Sequence, residues 1–188
     1  MSLLVGIVLS MRFEVPAYVD ESYRQGGRYL LAVVIADGQV GAARQALRDQ
    51  AREFKKPVHF NALTPAQRST AMTTISSLVG LRSVVFEHRM ARGESQMDAR
   101  AIVLTATVAM LQEEGVSSLV LDHFQGAETI DGGIIRRARE QRRQATLNYR
   151  HAHYSDEPLL WVADALAFNA GVKHPEPDPR WHQGTNRV

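Results

Sequence analysis

The chain of 188 residues contains no cysteine. That absence excludes a disulfide scaffold, a thiolate metal site and a cysteine nucleophile, and it fits a reducing cytosol. A strong charge of either sign is also missing. Lys and Arg total 22 against 20 for Asp and Glu, a formal net charge of +2 with a pI near 9.1. Attraction to nucleic acid would therefore have to come from local clustering. No apolar run approaches the ~20 residues that span a bilayer. Leu3 to Leu9 is apolar but short, and it lacks the basic leading segment of a signal peptide. It is expected to be an extra strand, or to precede a true start at Met11. Internal repeats, interdomain linkers and low-complexity runs are lacking too. The expectation is a soluble, cytoplasmic protein with no membrane segment.

What is present reads as one domain. Hydrophobic residues make up 45% and charged residues 22%, ordinary globular values for a chain long enough to bury a core. Residues 1–16 are expected to form an extension and the start of the first strand, and 17–171 the domain. Residues 172–188 form a tail with three prolines in HPEPDP, read as extended or disordered.

Hydrophobic period and punctuation give the elements. A strand ending near Val19 leads through a polar turn to a second, Arg28 to Ala36. Gly41 to Phe54 has the 3.6-residue period of an amphipathic helix. Val58 to Asn61 reads as a short extended piece. Thr64, Pro65 and Gln67 then make a capping-box helix start, the helix running to about Val79 and Gly80. Leu81 to His88 is a strand. Gln96 to Glu114 is a long, largely buried helix, and Val116 to Leu121 a continuous apolar strand ending at Asp122. Gln125 to Gly133 reads as a loop before a short helix, Ile134 to Arg143. Ala145 to His153 alternates like a strand with one wetter face. Pro158 opens a last helix, Leu159 to Ala170, stopped by Gly171. Paired strands early and helix-spaced strands later predict a mixed α/β sheet covered on both faces.

Three acids invite a chemical reading. Asp20 stands at the end of the first strand with Glu21 beside it. It is either the first ligand of a divalent-metal site or the start of a hairpin turn. Asp122 ends a buried strand, which also suits an ordinary turn. If the two strands are parallel neighbours, both carboxylates emerge at the carboxyl edge, where open α/β sheets place their sites. Asp164 sits in LLWVADALAF, apolar nearly all round, where an ionised carboxylate is costly unless paired or metal-bound. The alternatives there are a narrow solvent stripe or a bond to an arginine.

AYVDES followed by a second strand, LVLD at a later strand end and LLWVADALA in the last helix resemble the ribonuclease H-like fold. More narrowly, they resemble an uncharacterised bacterial family of the domain-of-unknown-function type. It opens on an Asp-Glu-Ser strand end and closes on a Leu-x-x-Ala-Asp-hydrophobic helix. The likeness covers about Ala17 to Ala170. Family members usually carry glycine where this chain has Tyr23, a departure that bears on the turn. The resemblance implies a five-stranded mixed sheet, the first three strands antiparallel and the last two parallel to the first, with helices on both faces. It also implies that Asp20, Asp122 and Asp164 are catalytic metal ligands. Hard oxygen donors without cysteine favour Mg²⁺ or Mn²⁺. Glu21, Glu94 and Asp98 are candidates for a fourth acid. Glu94 and Asp98 also suit favourable charge at a helix N-terminus, and that reading is preferred for them.

His59 precedes a helix start and is read as a phosphate contact or proton shuttle, against the alternative of a capping or surface histidine. His151 and His153 share a strand face, where cross-strand packing is favoured over a metal pair. Arg136, Arg137, Arg139 and Arg143, with Arg142, form a basic ridge on one helix, able to neutralise phosphates or simply be solvated. The leading functional expectation is a nuclease hydrolysing phosphodiester bonds of RNA or DNA, with two metal ions about 3.5–4 Å apart. The alternatives are a non-catalytic nucleic-acid-binding module with a degraded site, and a hydrolase or transferase of small phosphorylated substrates.

Overall fold

Strand β1 (Pro16–Arg24) turns back into β2 (Arg28–Ala36), with Arg24 opposite Arg28. Gly26 and Gly27 both hold positive φ in this turn, a conformation open to glycine at little cost. β2 is buried along nearly its whole length because it lies inside the sheet, which matches its apolar run. β3 (Leu81–Arg89) pairs antiparallel with β2, whereas β4 (Ser118–Asp122) lies parallel to β1 and β5 (Asn148–Ala152) parallel to β4. This is the expected five-stranded mixed sheet. A sixth strand, β6 (Gly184–Arg187), extends it by pairing parallel with β3, giving the order β5-β4-β1-β2-β3-β6. The computed structural model describes residues 15–24, 26–38, 40–123, 126–142, 147–172 and 184–187. The apolar run at Leu3 to Leu9 lies outside them.

The two-residue alternation of β1 and β2 divides the core. Tyr18, Leu30, Ala32 and Val34 face α1 (Val40–Phe54), α2 (Pro65–Ser77) and α5 (Pro158–Gly171). Val19, Leu31, Val33 and Ile35 face α3 (Gln96–Glu113) and α4 (Glu128–Arg142). α5 packs across β1 and β2 and beneath α1, and it is buried from Pro158 to Ala167. Its apolar character on all sides follows from that position. The Thr64–Gln67 capping box forms as the sequence predicts. Ser95 and Asp98 close a second one at α3, so Asp98 is a capping acid.

Three local expectations change. β1 does not end near Val19 but runs on to Arg24, so Asp20 and Glu21 lie within the strand, opposite Ala32 and Leu31, and do not begin the hairpin turn. Val58 to Asn61 leads into a 3₁₀ turn, Phe60–Ala62, rather than staying extended. α4 begins at Glu128, inside the predicted loop. The pair Gly132–Gly133 argues for a loop by propensity, but packing decides otherwise. A Cβ on Gly132 would stand 2.8 Å from the Tyr149 hydroxyl, so a glycine lets α4 lie against β5. Asp131 adds an ion pair to Arg100.

Candidate active site at the carboxyl edge

Parallel pairing places Val19 of β1 opposite Leu121 of β4. One residue further, Asp20 and Asp122 therefore emerge side by side at the carboxyl edge. Alternation puts Asp20 on the face of Tyr18 and Asp122 on the face of Val120, which is the α5 face. Asp164 comes from α5 on that same side and is 7% exposed. Its Oδ2 accepts the backbone N–H of Phe60 at 2.7 Å and lies 3.0 Å from His59 Nδ1. The 3₁₀ turn that follows His59 presents both groups. The carboxylate sits in an apolar helix because two polar groups meet it, and among the described residues no arginine is bonded to it.

Glu21 points to the opposite face of the sheet, as its place next to Asp20 requires. There it meets Arg100 of α3, with Nη1 and Oε2 2.5 Å apart. Arg100 is 2% exposed and also donates through Nε and Nη2 to Asp131 of α4, at 2.8 and 2.9 Å. His151 Nε2 of β5 lies 2.8 Å from Asp131 Oδ2, the oxygen that also accepts Arg100 Nη2. A chain of four charged or titratable groups thus runs from the site through the α3–α4 layer to β5. Asp20, Glu21, His59, Asp122, Tyr154 and Asp164 line one cleft of about 510 Å³, with Arg100 at its wall.

The electrostatics of the cleft are those of crowded acids. Burial pushes the Asp20 carboxyl well above its ordinary value, and Asp164, Glu21 and Asp122 push it further. Its own residue's neighbour, the Glu21 amide, donates to Oδ1 at 2.7 Å and opposes the rise. Asp122 is raised by burial despite bonds from the backbone amides of His123 and Tyr154. Glu21 is raised by burial, with Arg100 pulling it back. His59 is raised, first by its bond to Asp164. Burial works against the charge of Arg100, yet its acidic partners leave it firmly protonated.

A chain from the structure of the PCNA–ribonuclease HII complex of Archaeoglobus fulgidus superposes with a TM-score of 0.51 at 15% identity, over 88% of this chain and 84% of that one. The fold is ribonuclease H-like. No family model and no curated protein matches the sequence. Among the described residues no helix is long and apolar enough to cross a membrane.

Within this ribonuclease H-like frame the donor chemistry fits a hard divalent cation. Among the described residues Asp20 and Asp122 are paired with no arginine or lysine, and the repulsion on Asp20 is what a cation would relieve. The side chains are not preset for it: among the described residues no three His, Asp or Glu side chains form a metal-holding group.

The other sequence candidates fall elsewhere. Glu94 accepts the Ala91 amide and lies 2.7 Å from His88, away from the cleft. His151 is held by Asp131, and His153 stacks on His123. α4 runs back from the carboxyl edge, so its arginine ridge recedes from the carboxylates by ~1.5 Å per residue. On it, Arg136 and Arg137 are exposed and Arg139 lies over the Tyr149 ring at 5.7 Å. Arg143 is outside the described residues. Sequence reasoning missed Arg100, Asp131 and Tyr154. A signal for the first existed: Arg100 shares one helical stripe with Val103, Leu104, Thr107 and Val108, all buried. An arginine on a buried stripe asks for an acidic partner.

Proposed function

We propose that the protein is a metal-dependent nuclease that hydrolyses phosphodiester bonds of nucleic acid at the cleft of Asp20, Asp122 and Asp164. The observation that carries this reading is the register of β1 and β4, which brings Asp20 and Asp122 to one edge on the side of Asp164. Their repulsion is relieved by a bound cation or by a proton on Asp20. Asp20, Asp122 and Asp164 would hold Mg²⁺ or Mn²⁺, which supplies Lewis-acid charge for a phosphoryl centre. Phe60 and His59 hold Asp164 in place from behind. His59 is half-exposed on the cleft wall with a raised proton affinity, and its role is to hand a proton to the departing oxygen as the P–O bond breaks. Glu21, tied to Arg100, acts as a positioning group at the rear of the cleft rather than as a ready ligand. Arg136, Arg137, Arg139 and Arg143 contact phosphates away from the cleft.

The test is cleavage of labelled RNA and DNA oligonucleotides with Mg²⁺ or Mn²⁺ and with EDTA. Metal-dependent cleavage lost in Asp20→Asn supports the reading, and equal cleavage by that variant overturns the role of Asp20. A second reading, a nucleic-acid-binding module whose site is degraded, suits the lack of a preset metal-holding group among the described residues. It predicts binding without cleavage, and no metal uptake by calorimetry.

A further inference from the structure

The carboxyl edge carries a feature that hydrolysis itself does not need. His123 follows Asp122 at the end of β4, and His153 follows Ala152 at the end of β5. Asp122 and Ala152 are paired in the parallel register, so the two histidines leave adjacent strands at the same level. Their rings stack, with centroids 4.5 Å apart and an interplanar angle of 17°. The arrangement is fixed from several sides. The His123 amide donates to the Ala152 carbonyl at 3.0 Å, and its Nε2 lies 3.0 Å from Glu128 Oε1. The His153 carbonyl receives the amides of Asp156 and Glu157, which pins the turn before α5. Both histidines are exposed. One residue past His153, Tyr154 reaches the cleft and lies against the His59 ring, with centroids 5.2 Å apart. The alternation that parts Glu21 from Asp20 also parts His123 from Asp122, so the stacked rings stand at the carboxyl edge on the α4 side, where His123 meets Glu128, and are not among the residues lining the cleft.

Two exposed imidazoles held face to face spend apolar surface on solvent without joining the core, and histidine planes are among the surfaces on which unpaired bases stack. We propose that the His123–His153 pair is a shelf for one unpaired nucleobase at the carboxyl edge, on the α4 side of the strand that carries Asp122, so that the substrate is presented as a single strand. This deepens the nucleic-acid reading above and rests on it. A duplex holds its bases inside its own stack and offers none to the shelf. Stacking is tolerant of base identity, so the shelf confers a preference for strandedness and little preference for sequence.

The experiment measures binding of the full chain to a fluorescent single-stranded oligonucleotide and to its duplex, with Ca²⁺ replacing Mg²⁺ to slow turnover. The wild type is expected to prefer the single strand. His153→Ala is expected to weaken single-strand binding about ten-fold and leave duplex binding unchanged. His153→Phe, which keeps a flat ring, is expected to restore it. An oligonucleotide with abasic positions is expected to bind wild type and His153→Ala alike. Equal single-strand affinity of wild type and His153→Ala, or an equal loss on the abasic strand, overturns the shelf while leaving the nuclease reading in place. Absence of any binding by the wild type overturns both. Both histidines are exposed, and matching melting temperatures will show that the variants are folded.

Discussion

Phe60 donates its backbone N–H to Asp164 Oδ2 at 2.7 Å, joining a 3₁₀ turn to the middle of a buried helix 104 residues later. His59 shares the same oxygen at 3.0 Å. The two contacts make different predictions. Asp164→Ala strands a buried amide, which costs about 1–3 kcal/mol. At this chain length each kcal/mol lowers the melting temperature by about 2–4 °C. His59→Ala keeps the Phe60 bond and is expected to cost less, so the order of the two melting temperatures checks the assignment.

Asp20 is crowded by three acids, so removing its charge relieves repulsion. Asp20→Asn is expected to raise the melting temperature in EDTA by a few degrees, about 2–4 °C per kcal/mol gained. Added Mn²⁺ should raise the melting temperature of wild type and leave the variant unmoved. A variant less stable than wild type in EDTA contradicts the repulsion account.

The same shifts set a pH dependence for the metal-free protein. Asp20 is raised from 3.8, so folding favours its protonated form. Stability is therefore lost as pH rises above about 4 towards the folded value. His59 is raised from 6.5, so its contribution is complete below 6.5 and is lost as pH rises through its folded value. Both slopes have one sign. Chemical denaturation in EDTA should show stability falling from weakly acidic to weakly alkaline pH, and Asp20→Asn with His59→Ala should flatten the fall. A rise over that range refutes it.

Arg100 and Asp131 form a buried ion pair, 2% and 0% exposed in their side chains. Asp131→Asn leaves Arg100 with Glu21 as its remaining acid, whereas Arg100→Met takes the guanidinium from both Asp131 and Glu21, so Arg100→Met is expected to cost the more, about 3–5 kcal/mol. The double variant Arg100→Met with Asp131→Leu should cost less than the sum, because both charges leave together. Additive losses in urea denaturation would mean that the two groups are not coupled.

Arg136 and Arg137 are the exposed, described members of the α4 ridge. If they meet phosphates, replacing each with alanine lowers the slope of log affinity against log salt by about 0.7–0.9. An unchanged slope would make the ridge a solvated face.

Much of the architecture was legible without coordinates. Period, capping and glycine stops located the second and third strands and most of the helices, because those signals are local, while the polar run after Val19 hid the last residues of the first strand. The parallel or antiparallel character of the sheet followed from element spacing together with the family resemblance. Asp20, Asp122 and Asp164 stood out because a carboxylate at a buried strand end or inside an apolar helix conflicts with its surroundings. That conflict is visible in one dimension. The loop predicted at Gln125 to Gly133 failed for the complementary reason: two glycines argue against a helix locally, and the approach of the Tyr149 hydroxyl accounts for Gly132 but not for Gly133.

By itself, then, the sequence determined which segments are helix or strand and which acids are misfits. Only the tertiary structure decided who answers them. Asp20 and Asp122 are neighbours through a strand register more than a hundred residues apart. Glu21, adjacent to Asp20 in the chain, is sent across the sheet to Arg100 by the strand's two-residue alternation. Long-range pairing depends on the summed packing of both faces of the sheet, and no window of sequence contains that sum.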